Sequence, residues 1–165
     1  MRQISKIFAL ATMMFAFTAT TFGQATATAS ATIVSPIAIS RVDNMNFGNI
    51  AADPLSSGTV ELTAAAVPVR TPTTVTLPAT TGTVTAASFT VTGVAGYTYA
   101  ITLPTTSVSL GTATLYADTF VSDKPLNIGT IDGSPLYVGA TLHVGAAEVA
   151  GSYTSAAFTV TVNYN

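Results

Sequence analysis

The chain has 165 residues, no cysteine and one histidine, and only 7% of it is charged against 48% hydrophobic. The missing cysteines exclude a disulfide framework and a lipid-modified cysteine. A charged fraction so far below the ~25% of an ordinary soluble domain, with a formal net charge of −2, excludes the basic footprint that nucleic-acid binding needs.

Residues 1–25 read as a secretory signal peptide. Arg2 and Lys6 give a basic start, Ile7 to Phe17 an apolar centre, and Gly23-Gln24-Ala25 a small-residue cleavage motif. The apolar centre is well short of the ~20 residues that cross a bilayer. Removal would leave residues 26–165 as a single domain without a membrane span. Its three basic residues, Arg41, Arg70 and Lys124, against the seven acidic ones leave a balance of −4.

The mature chain alternates with period two and is broken at short intervals by Gly, Pro and Asn-Asp signals, which predicts strands. From Ala25 to Ile39 the odd positions run from alanines to Ile33, Ile37 and Ile39, while Thr and Ser occupy the start of the other face. Pro36 lacks an N–H and argues for an edge or a break there. Further strands are expected over Met45–Ile50, Thr59–Ala64, Val75–Leu77, Ser88–Thr92 and Tyr97–Leu103. The second half adds Thr112–Val121, Leu136–Val144 and Ala156–Tyr164.

In Thr112–Val121, Leu115, Ala117 and Thr119 share one face, and Tyr116, Asp118 and Phe120 the other. Gly93-Val94-Ala95-Gly96 reads as a hairpin turn, because it lacks the strand-to-helix context of a phosphate loop. The final alternation through Phe158, Val160, Val162 and Tyr164 reads as an edge or closing strand. Eight or nine short strands without a long amphipathic helix predict an all-β, antiparallel sandwich with Greek-key, immunoglobulin-like connections. A barrel is the lesser alternative.

Chemistry-bearing constellations are scarce. His143 lies in a strand with no local carboxylate, and no Gly-x-Ser-x-Gly elbow occurs. Asp118, Asp123 and Asp132 fit no calcium-loop spacing. Tyr97 and Tyr99 would share a sheet face that could hold a sugar, although a core role suits them better. The reading is therefore of a protein that is not an enzyme, without catalytic, metal-binding or cofactor-binding residues and without a cofactor.

Phe47-Gly48-Asn49-Ile50, Ser88 to Gly93, Tyr97 to Pro104, Leu136 to Leu142 and Gly151-Ser152-Tyr153 leading to Val160–Tyr164 resemble a family of small secreted bacterial β-sandwich proteins known mainly as a domain of unknown function. The end of the chain also resembles chaperone–usher pilins, whose terminal strand has a Gly about fourteen residues from its end, alternating apolar residues and a penultimate Tyr. Gly151, Phe158, Val160, Val162 and Tyr164 match that pattern approximately.

This second resemblance implies strand addition, in which one subunit's extended segment completes a neighbour's sheet. Ile33, Ile37, Ile39, Phe158, Val160, Val162 and Tyr164 are the expected assembly residues, and residues 26–40 a possible donor or first strand. The expected function is a secreted structural subunit of a fimbria or other extracellular filament, in the periplasm or at the cell surface. Partners would be itself or related subunits, with a periplasmic chaperone and usher, and no nucleic acid. The alternative is a monomeric surface adhesin or carbohydrate-binding module. An eight-stranded outer-membrane barrel fits the length, but Thr on both faces, short segments and missing aromatic girdles oppose it.

Overall fold

The computed structural model describes residues 23–165. The expected signal peptide falls almost wholly outside them. The chain divides after Ile33. Residues 23–33 carry neither helix nor strand and are exposed, and the compact unit is Val34–Asn165.

That unit is all-β and antiparallel, with no helix among the described residues. Twelve short strands form it: β1 Ala38–Asp43, β2 Asn46–Phe47, β3 Gly58–Leu62, β4 Arg70–Thr73, β5 Val84–Thr85, β6 Ala87–Thr92, β7 Thr98–Thr102, β8 Val108–Ser109, β9 Tyr116–Ser122, β10 Gly129–Thr130, β11 Leu136–Val144 and β12 Thr161–Tyr164. A seven-stranded sheet runs β1-β6-β11-β3-β4, with β9 and then β8 on the other edge of β11. A three-stranded sheet runs β10-β7-β12, and β2 pairs with β5. The larger sheets face each other as a β-sandwich.

The strand β11 organises this arrangement. Its burial alternates except at Gly139, which is also buried: Leu136, Val138, Ala140, Leu142 and Val144 are buried, while Tyr137, Thr141 and His143 are partly open. One edge pairs first with β6, through Leu136↔Phe89 and Val138↔Ala87, and then with β3, from Ala140↔Leu62 to Val144↔Gly58. Its inward side chains therefore feed two cores. Leu136 and Val138 join Phe89, Val91, Tyr99, Ile101 and Val162 between the two sheets. Ala140, Leu142 and Val144 join Val60, Leu62, Leu115 and Ala117, as the seven-stranded sheet curls over β2. Where the edge changes partner sits Gly139, and a Cβ there would collide with the Leu62 carbonyl and the backbone of Thr63 and Ala64.

Several expected elements differ. The strand expected from Ala25 begins only at Ala38, since Pro36 cannot donate to a ladder. Met45–Ile50 is a strand only over Asn46–Phe47, and Val75–Leu77 reduces to one bridge, Ala51↔Thr76. Edge strand β4, which contains Pro72 opposite Val60, was hidden by that proline. The turn at Gly93–Gly96 closes with a Tyr97 N–H to Val94 carbonyl bond of 3.1 Å, but β6 and β7 lie in different sheets. It is a crossover between layers, not a hairpin.

The largest correction lies in β9. Gly139↔Val121 is followed by Thr141↔Asp118, so β9 carries one extra residue there. Thr119 takes the left-handed conformation, φ 48°, which a β-branched side chain rarely adopts. The bulge reverses the facing of the next residue. Phe120, expected on the face of Tyr116 and Asp118, turns inward against both cores, with its ring 5.0 Å from that of Phe158.

Gly139→Ala should cost at least about 2 kcal/mol, because neither neighbouring backbone can yield without breaking the β11 ladder. Urea unfolding checks this. A loss below about 0.5 kcal/mol, the scale of a neutral surface change, would mean the β11–β3 approach is looser than described.

Candidate functional site

The residues expected to build an assembly surface fall into two groups. Ile37, Ile39, Phe158, Val160, Val162 and Tyr164 all converge on the core between the sheets. Ile33 does not: it is 97% exposed. Gly151 lies exposed ahead of β12 and takes part in no strand.

Between the converging residues runs an open groove of about 470 Å³, lined by Ile39, Arg41 and Phe89 on one side and Phe158, Thr159 and Val160 on the other. Both banks have free backbone. β1 pairs with β6 alone, so its outer edge has no ladder partner. The strand expected over Ala156–Tyr164 forms a ladder only from Thr161↔Thr102 onward. Residues 156–160 keep the alternation, with Val160 buried and Phe158 half-buried, but pair with no strand. The groove is thus a slot of mixed polarity between the unpaired outer edge of β1 and a run that joins no ladder, and unpaired strand edges template further strands.

The far end of β1 is closed off. Opposite Phe89 and Ser88 the pairing passes from Arg41 to Asp43, leaving Val42 as an extra, exposed residue. Ser88, the buried polar side chain of the core, donates to the Asp43 carboxylate at 2.8 Å and accepts the Asp43 N–H at 3.1 Å. A bulge that twists an edge away is a usual way to end its pairing.

Tyr164 anchors the other end. Its hydroxyl accepts the Val94 N–H at 2.8 Å and donates to the Ser35 carbonyl at 3.0 Å. Gly93 leaves the room, since a Cβ there would collide with that oxygen. The ring meets Tyr97 edge-on at 5.7 Å. Tyr97 and Tyr99 do not form a shared sugar-binding face, because Tyr99 is 1% exposed in the core while Tyr97 is largely open. The Tyr99 phenol is pushed up by burial and, less, by the charges of Asp132 and Asp123.

A second group of polar residues lies at the opposite end of β11. His143 lacks a carboxylate nearby in sequence, but β9 supplies one: Asp118 Oδ1 lies 2.9 Å from His143 Nε2. The Tyr116 ring stacks on the imidazole at 4.5 Å and 9°. Sequence reasoning missed this trio, although Tyr116 and Asp118 were placed on one face; only the β9–β11 register puts His143 beside them. The three loop aspartates do not converge. Asp123 accepts the Tyr137 N–H, and Asp132 is held low by hydrogen bonds from the Ser134 hydroxyl and N–H, with a smaller effect of Lys124. Among the described residues no three His, Asp or Glu side chains come together as a metal site.

Tyr164→Phe removes the hydroxyl that joins residue 35 to residue 94, and should cost about 1–2 kcal/mol while leaving the Val94 amide without a partner. Amide hydrogen exchange at Val94 should quicken selectively. Unchanged exchange there would mean that Tyr164 is held by its ring alone.

No curated protein and no solved structure matches the chain. A family model does match, described as a domain of unknown function, DUF4402, over residues 37–164. This span runs from Ile37, at the entry to β1, to Tyr164 in β12, and the chain belongs to the DUF4402 family.

Proposed function

We propose that this chain is a secreted, non-enzymatic structural subunit that assembles into a fimbria-like or other extracellular filament by β-strand addition. The observation that carries the reading is the groove between β1 and residues 156–160, where the outer edge of β1 and the facing run are both without a ladder partner. An inserted strand would gain hydrogen bonds from both banks and bury its alternate side chains on Ile39, Phe89, Phe158 and Val160.

The chain also carries a segment suited to be that strand. Residues 25–33 are exposed and uncharged, and outside any strand. They present Ala25, Ala27, Ala29, Ala31 and Ile33 on one face and Thr and Ser on the other. Burying Ile33 alone would supply roughly 1.5–3 kcal/mol, and each new backbone bond about 0.5–1.5. Partners are then other copies or related subunits, with export served by a periplasmic chaperone and usher.

Secreted protein run unboiled on a denaturing gel should give a ladder of interlocked subunits, and electron microscopy should show filaments. Deleting residues 25–33 should collapse the ladder to a monomer that keeps its β-type circular dichroism. Polymers unchanged by the deletion, or none in the intact protein, would refute the reading.

A further inference from the structure

We propose that the solvent face of the seven-stranded sheet, at the Val144 end of β11, binds a neutral saccharide. The strand registers build the site from distant parts of the chain. Thr73 lies opposite Thr59, Thr59 opposite His143, and His143 opposite Tyr116. Four strands so present one transverse row about 14 Å long, at ~4.8 Å per strand. The row borders a groove of about 340 Å³, whose walls include Ser57, Thr74 and Thr114. That volume lies at the small end of ligand sites.

The chemistry of the lining selects the ligand class. Ser57, Thr59, Thr73, Thr74 and Tyr116 offer hydroxyls that both donate and accept. No lysine or arginine lines the groove, and the nearby carboxylates of Asp118 and Glu148 would repel an anion. An apolar ligand would leave the hydroxyls without partners. A sugar matches both features, because its hydroxyls pair with the threonines and its C–H face packs on a ring.

The site is also held in place. Asp118 fixes His143 through Nε2, which leaves Nδ1 with no partner among the described residues. Glu148 accepts hydrogen bonds from Thr112 and Thr114 and pins that wall. Thr74, which lines the groove, has φ 69°, and Thr119, next to Asp118, has φ 48°. Two β-branched residues in the left-handed region are strained backbone of the kind that gathers at binding sites. None of these residues belongs to the groove at Ile39 and Phe158, so the proposal stands apart from strand assembly.

The chain has a single histidine, so its imidazole resonances need no assignment. They should shift saturably when the full mature protein is titrated with a panel of neutral disaccharides: cellobiose, maltose, lactose and chitobiose. At least one should bind, and Tyr116→Ala should weaken it by about tenfold or more. Thr73→Val, on the exposed edge strand β4, should weaken it too without disturbing the fold. No saturable shift with any of the panel, or binding that survives both substitutions unchanged, would overturn the proposal.

Discussion

Everything in this fold hangs on one strand being shared. β11 gives the same inward face, Leu136 to Val144, to two hydrophobic cores, and gives one backbone edge to two successive partners, β6 and β3. The hand-over is possible only because residue 139 is glycine, where the chain at Leu62–Ala64 comes too close for any side chain. Lacking disulfides, the protein has no covalent cross-link between these layers beyond the crossovers of the chain itself. Packing on this strand is what relates them.

How much of this was legible in the sequence depends on how locally each feature is determined. The bounds of β11 coincide with the run Leu136–Val144, because five buried even positions leave a period-two signal that nothing interrupts. The all-β antiparallel sandwich followed from similar runs. Two-residue strands such as β5, β8 and β10 carry no period and could not be found, and β2 was expected several residues too long. Phe120 was placed on the wrong face because a bulge at Thr119 inverts the alternation, and a β-branched residue gives no warning of a left-handed turn. Ala156–Val160 alternates like a strand but lacks a neighbour to pair with, a fact of tertiary structure alone. His143 and Asp118 meet for the same kind of reason: only register brings them together.

The unpaired run of residues 156–160 is also the most informative of these differences about function. Sheet edges are ordinarily blunted by charge, proline, bulges or cover. Here β1 has Arg41, and the bulge at Val42 closes only its far end. Residues 156–160 join no ladder although Phe158 and Val160 already pack on the core. A surface with so little charge adds no repulsion between copies. Folding thus leaves the outer edge of β1 and residues 156–160 without ladder partners, and under the proposed assembly a neighbour's strand would supply them. The polar row on the outer face of β4, β3, β11 and β9 lies at the other end of β11, so completing the sandwich would leave it uncovered.

Strand assembly as proposed requires that the slot between β1 and residues 156–160 accept a strand. The most direct measurement adds a synthetic peptide of the sequence Ala25–Ile33 to protein lacking those residues and follows amide hydrogen exchange. Alternate amides on the outer edge of β1 and along residues 156–160 should become protected, with little change elsewhere. Protection confined to another edge, such as β4 or β8, or none at saturating peptide, would contradict it.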